Sequence, residues 1–162
     1  MNLIIESTKQ VSYYTDMQQT ISALGISASD FDWFISDIEI NCIVPTLQHC
    51  SDEPWNYLDQ WVSVAILQSI LENQDIQFIW AVFSAVPKGY RCHIAQAPYC
   101  EGNPDYWNKT ELVPQLEGAL FEIACWDSSA TILIGISEAL ACQFINHFSD
   151  TKVLDRNYFN KR

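Results

Sequence analysis

The run Ile76 to Val86 (IQFIWAVFSAV) is apolar at odd and even positions alike. A strand with one wet face alternates apolar and polar residues, whereas a strand buried on both faces reads as continuous hydrophobic sequence. This run therefore predicts a central strand covered on both sides.

Its neighbours read as strands as well. Phe31 to Val44 alternates, but the phase changes midway: Phe31, Trp33 and Ile35 share one parity, and Ile38, Ile40, Cys42 and Val44 share the other. One inserted residue near Ser36 or Asp37 would turn both sets to the same core, which is what a β-bulge does. The expectation is a long bent strand with Asp37, Glu39 and Asn41 on its solvent face. After the turn Pro87-Lys88-Gly89, Tyr90 to Ala97 is expected to return as a neighbouring strand. Gly118 to Trp126 and Ala130 to Ile136 read as an antiparallel pair around Asp127-Ser128-Ser129, a polar cluster suited to a hairpin turn.

Helix signals lie between these strands. Thr15-Asp16-Met17-Gln18 has the form of a capping box, and Gly25 stands where a left-handed cap closes a short helix over 16–24. Ser51-Asp52-Glu53-Pro54 precedes Trp55, Leu58, Trp61, Val62, Ala65, Ile66 and Ile70 at helical spacing, so a main helix is expected over 53–73. Ser137 is positioned to cap a final helix with Leu140, Phe144 and Phe148 on its inner face. Together these predict an α+β fold: a mostly antiparallel β-sheet with about three helices packed against it. No repeat or linker interrupts the chain, so residues 1–162 are expected to form a single globular domain, with 151–162 a polar C-terminal tail.

Charge constrains function more than any motif does. The chain carries 20 Asp and Glu against 8 Lys and Arg, a formal net charge of −12. No Lys or Arg occurs between Lys9 and Lys88, nor over residues 110–151. Such a distribution attracts cationic partners and repels nucleic acid, whose binding needs a basic stripe for phosphate contacts. Disordered acidic segments are poor in aromatics, whereas this chain is 49% hydrophobic and has six Trp, seven Tyr and eight Phe, so it is expected to fold. No segment reaches the ~18 consecutive apolar residues of a membrane span. Met1 is followed by neither a basic region nor a long apolar run, so a cytoplasmic protein is expected.

Catalytic and metal motifs are not found. The six cysteines include no C-x-x-C pair, and reduced structural thiols are expected. Cys92 and His93 are adjacent, and adjacent strand residues point to opposite faces, so they are poorly placed to chelate one ion. His147 falls at the end of the last helix, where a cation suits the helix dipole. Ser128 lacks the G-x-S-x-G setting of a nucleophilic serine. No catalytic residue, metal or cofactor is therefore expected.

The remaining constellation interleaves acids with aromatics: Asp30, Asp32, Asp37, Glu39, Asp52, Glu53, Trp55 and Asp59. Aromatic anchors ringed by charge are the composition of a protein-binding surface. Carboxylates in such a surface can occupy the places of substrate phosphates on a basic nuclease. A small enzyme using Asp127, Ser128, His93 or His147, and an adaptor using its aromatic surface, are the alternatives.

The phrases FDWFISDIEIN, IQFIWAVFSAVP, EGNPDYWN and FEIACWDSSATILIGIS, followed by FSDTKVLDRNYFN, resemble a group of small bacterial proteins of formerly unknown function. Among that group are immunity proteins of contact-dependent growth inhibition and related polymorphic toxin systems. The resemblance implies a cytosolic, non-enzymatic protein that binds one cognate toxin domain and neutralises it. A basic ribonuclease, such as an RNase A-like toxin, is the partner that best matches the charge. No residue role is carried over from the resemblance.

Overall fold

The computed structural model describes residues 1–49, 56–73, 75–108 and 111–154. Its strands are β1 (Leu3–Glu6), β2 (Asp32–Ile40), β3 (Asn56–Tyr57), β4 (Gln60–Val62), β5 (Phe78–Val86), β6 (Phe121–Trp126), β7 (Ala130–Ile134) and β8 (Lys152–Val153). They form one antiparallel sheet in the order β3-β2-β5-β6-β7-β1-β8, with β4 also paired to β2. The helices are α1 (Met17–Ala23), α2 (Val64–Glu72), the short α3 (Asp105–Asn108) and α4 (Glu138–His147). The α+β architecture expected from the sequence is the one observed.

Alternation on β5 explains why that strand is apolar at both parities. Ala81, Phe83 and Ala85 enter the core beneath the helices with Trp33, Leu67, Ile123 and Phe144. Val82 and Val86 point the other way, into clusters formed with residues from 87–120. Helices thus cover one face, and a long, mostly irregular segment covers the other.

The phase change in β2 is a bulge at Asp37. Ser36 pairs with Val82 and Glu39 with Trp80, so Asp37 and Ile38 together oppose the single residue Ala81. Asp37 has φ +54, the left-handed conformation that such bulges usually give to glycine. Its insertion keeps Trp33 and Ile35, then Ile38 and Ile40, on the helix face. A second irregularity compensates for the first: Ile40 pairs with Phe78, leaving Ile79 as the extra residue of β5. This returns Phe78 to the helix-side core beside Phe83, with ring centroids 4.9 Å apart.

Several local signals act as expected. Gly25 closes α1 at φ +67, and the Ser137 side chain accepts from the Leu140 amide at the start of α4. Between β6 and β7, Asp127 and Ser128 both have positive φ, and Ser129 N donates to Trp126 O at 2.8 Å. Trp126 pairs with Ala130, so residues 127–129 form a three-residue hairpin loop.

Four expectations are corrected. The helix expected over 53–73 begins only at Val64, capped by Ser63, and it is preceded by β3 and β4. Pairing with β2 there satisfies backbone groups that an exposed sheet edge would leave open, and it turns Trp61 onto Phe34 on the loop-covered face. Tyr90 to Ala97 is irregular instead of a strand, because β6 takes the place beside β5. Thr15 is not the cap of α1: Asp16 accepts from the Gln19 amide, while Thr15 Oγ1 donates to Phe78 O at 2.7 Å. Lys152 and Val153 of the expected tail form β8 on β1, and Leu154 is buried.

Asp37 joins the two layers. Its Oδ2 accepts from the amides of Cys100 (2.7 Å) and Glu101 (2.8 Å), and its own amide donates to Asp59 Oδ1 at 2.9 Å. Asp37→Ala should lower unfolding free energy by on the order of 2–4 kcal/mol, since it removes two charge-assisted bonds and leaves two amides unpaired. Asp37→Asn keeps an acceptor oxygen and tolerates the left-handed backbone, so its loss should stay near ~1 kcal/mol. Urea unfolding followed by tryptophan fluorescence measures both, and equal losses would remove the carboxylate from this role.

Candidate functional site

The structure separates the acids that the sequence placed together. Asp52, Glu53 and Trp55 lie outside the described residues. Asp30 is exposed and accepts from the Ser27 amide at 2.9 Å in a capping box before β2. Asp32 opens β2 and is held by Arg91 (2.7 Å), the Gly89 amide (3.0 Å) and Lys88 (3.4 Å). The hydrogen bonds from Arg91 and the Gly89 amide keep its carboxyl below the usual range. Asp37, Glu39 and Asp59 gather at the other end of β2, roughly 17 Å away at about 3.4 Å per residue.

That far end is acidic and aromatic. Glu39 is half-buried and pairs across the ladder with Trp80. Trp80 meets Trp126 edge to face with centroids 5.0 Å apart, and Trp126 meets Tyr106 at 5.1 Å. Both tryptophans are partly exposed, and Leu58, next to Asp59, is 44% exposed. The Asp37 bonds bring exposed Glu101 to the same end, and the Asp127 hairpin turn docks there through Ser128 N to Ile79 O at 3.1 Å. Ion pairs formed wholly among the described residues lie elsewhere, at Asp32 and between Lys152 and Glu6. Asp37 and Asp59 are thus fixed by backbone amides, which leave their negative charge in place.

Residues 87–120 close the face behind these groups. Ser36 Oγ donates to Pro98 O at 2.7 Å, and Leu120 N donates to Ala85 O at 2.8 Å. Gly118, at φ +77, admits the Tyr90 ring where a Cβ would lie 2.3 Å from it. Gln115 ties the two limbs of the segment, accepting from Tyr99 N at 3.2 Å and donating to Tyr99 O at 3.0 Å. A cleft of about 340 Å³ remains between residues 96–99 and 113–115, with Asp105 on its wall.

Glu122 is the one wholly buried carboxylate among the described residues. It stands opposite Ser84 across the β5–β6 ladder, and its Oε1 accepts from Ser84 Oγ (3.0 Å) and Leu116 N (2.9 Å). Its Oε2 has no partner among the described residues. Burial pushes the carboxyl above the usual range, opposed by the Gln115 and Leu116 amides and the Ser84 hydroxyl.

The residues considered for catalysis are dispersed. His93 lies in the covering segment, His147 on α4 across the sheet, and Asp127 and Ser128 in the hairpin turn; no hydrogen bond joins any two of these side chains. Cys100 and Cys125 are buried, and burial pushes both thiols far up, away from the reactive thiolate. Cys142 is exposed on α4. Among the described residues, no group of three or more His, Cys, Asp or Glu side chains could hold a metal ion, and no helix is long and apolar enough to cross a membrane.

Sequence reasoning missed Trp80, Trp126, Glu101 and Glu122 as parts of this region. Glu122 had a usable signal, a lone carboxylate inside the apolar strand FEIACW. Trp80 had none, because an apolar run does not reveal which of its members reaches a rim. No family model matches this chain, and neither does any curated protein or solved structure.

Glu122 sets a pH dependence of known sign. Its folded-state value lies above that of the unfolded chain, so the folded protein keeps a proton that the unfolded chain releases first. Its contribution is complete below the unfolded value, about 4.3, and is lost as pH rises through the raised folded value. Urea midpoints of the wild type should therefore fall relative to Glu122→Gln between pH 5 and pH 8, on the order of the range over which a buried carboxyl ionises. Asp32 is ionised in both states across that range and adds no slope. Glu122→Ala should lose about 2–3 kcal/mol near pH 5 by stranding the Leu116 amide, and the loss should narrow as pH rises. Parallel pH profiles for wild type and Glu122→Gln would show that this carboxyl does not titrate on unfolding.

Proposed function

We propose that this protein binds a cationic protein domain and neutralises it, acting in the cytoplasm as the immunity partner of a basic toxin nuclease. The observation that carries this reading is the acidic and aromatic end of the sheet, where Asp37 and Asp59 are held by backbone amides, Glu39 stands opposite Trp80, and Trp80 meets Trp126. Interface hot spots favour tryptophan, and surrounding charge steers the encounter. Carboxylates fixed on backbone amides are held in place before binding, so little ordering is needed to present them to a groove shaped for phosphates. The resemblance to toxin immunity proteins supports the same reading, and so does the basic-free stretch from residue 10 to 87.

The long covering segment adds support. Irregular segments much beyond ~12–15 residues are uncommon in compact domains and are usually functional. Residues 87–120 contribute Glu101 to the acidic end and Tyr106 to the aromatic contact behind it.

Mixing the purified protein with the toxin domain encoded beside it should give a one-to-one complex and abolish RNA cleavage. Undiminished cleavage at stoichiometric excess would overturn the proposal. Glu39→Lys combined with Glu101→Lys should weaken binding by roughly tenfold or more, chiefly through the association rate, and flatten its salt dependence. Glu72→Lys combined with Glu138→Lys, on helices across the sheet, should change affinity by less than about threefold. Equal losses in the two double variants would leave net charge, and not this face, as the determinant.

A further inference from the structure

Glu122 joins the sheet to one limb of the covering segment, residues 112–120. Both ends of that limb are tied down: Asn2 Nδ2 donates to Leu112 O at 2.8 Å, and Leu120 N donates to Ala85 O at 2.8 Å. Between the ends, Leu116 N donates to Glu122 Oε1, the Pro114 ring lies against Gly135, and the Gln115 side chain reaches Tyr99. Gly118, at φ +77, gives the limb a backbone joint. Val113, Pro114 and Gln115 form one wall of the cleft.

The carboxyl that holds this limb is ill suited to carry charge where it lies. Glu122 is 0% exposed, and its Oε2 has no partner among the described residues. Ionised there, it would place a charge in a dry layer with one oxygen unsolvated. Protonated, it is neutral, and Oε1 still accepts from Ser84 Oγ and Leu116 N. The groups around it include no cation. β5 presents Ser84, β7 presents Ile134 across the ladder, and the limb presents the Gln115 and Leu116 amides. α3 contributes Tyr106, whose phenol burial pushes well up, so it stays neutral. The helix-side core closes the far side of the sheet, so water reaches this carboxylate only if the limb lifts.

We propose that Glu122 is a proton-controlled latch: its protonated carboxyl keeps residues 112–120 closed on the sheet, and loss of the proton lets the limb lift between its tied ends, hydrating the carboxylate and removing one wall of the cleft. The raised folded-state value of this carboxyl agrees in sign, because a group harder to ionise when closed favours opening once it ionises.

Amide hydrogen exchange followed by nuclear magnetic resonance tests the latch, with each rate divided by its intrinsic value at that pH. In the wild type, protection of the Leu116 and Tyr99 amides should fall by up to about tenfold per pH unit above ~4.3, the value of an unburied glutamate. The fall should level off at the pH where the Glu122 carboxyl carbon itself titrates. These amides should exchange with little dependence on low urea, whereas the β6–β7 ladder should exchange through urea-dependent global unfolding. In Glu122→Gln, protection of Leu116 and Tyr99 should stay flat with pH. A flat wild-type profile, a pH-dependent profile unchanged by Glu122→Gln, or limb amides with the rate and urea dependence of the ladder would each overturn the latch. If Glu122→Gln does not fold, the wild type alone decides: a plateau away from the titration of the Glu122 carbon removes that carboxyl from control. No partner takes part in these measurements, so their outcome is independent of the toxin assay.

Discussion

A sheet whose central strand is apolar on both faces needs two covering layers, and this chain supplies helices for only one of them. Helices α1, α2 and α4 all contribute to the core on the side of Trp33, Phe83 and Ile123. The opposite face receives residues 87–108 and 111–120, and among these described residues the only helix is the four-residue α3. An irregular layer arrives with backbone amides that have no ladder of their own, and burial makes each unpaired amide costly. Side chains of the sheet meet them: Asp37 takes the Cys100 and Glu101 amides, and Glu122 takes that of Leu116. Ser36 reciprocates by donating to the Pro98 carbonyl. The polar residues interrupting otherwise apolar strands are therefore consequences of covering a sheet with a loop.

The same arrangement reconciles a stable fold with a net charge of −12. Self-repulsion destabilises a strongly charged compact state, and counter-ions within the chain are the usual remedy. Here side-chain cations pair with Asp32 at one end of β2 and with Glu6 near β8. At the bulge, Asp37 and Asp59 instead accept from backbone amides. Amide dipoles hold a carboxylate in position and leave its net charge intact, so the field at that end persists in the folded protein. Structural anchoring and outward potential come from the same side chains.

How much of this was legible in the sequence depends on how local each cause was. The parity switch between Ile35 and Ile38 located the bulge because side-chain alternation in a strand has period two, and one extra residue is the simplest way to change phase. The Asp127-Ser128 turn and the caps at Gly25 and Ser137 were equally local. The segment before α2 was not. Trp55, Leu58, Trp61 and Val62 fit a helical period, yet the open edge of β2 drew residues 60–62 into the sheet and left Leu58 exposed. Tertiary pairing overrode a local pattern there. Among the site residues, the acids were visible as residue types, but their partners were not: Asp32 with Arg91 and Asp37 with Cys100 are contacts that only the fold creates.

The bulge also couples the fold to the proposed binding surface. With Asp37 inserted in a left-handed conformation, Glu39 returns to the loop-covered side and stands opposite Trp80. The compensating bulge at Ile79 lets Phe78 return to the core while Trp80 stays at the rim beside Trp126. Without the first irregularity, Glu39 would share the helix-side face that Ile38 and Ile40 now occupy, and a carboxylate would enter the core. Without the second, Phe78 would leave that core. Two single-residue insertions in adjacent strands thus bury the right apolar groups and gather the acids and tryptophans at one end. Changes to Asp37 act on folding and recognition together, whereas changes to Glu101, which reaches the same end from the covering segment through its backbone amide, can act on recognition alone.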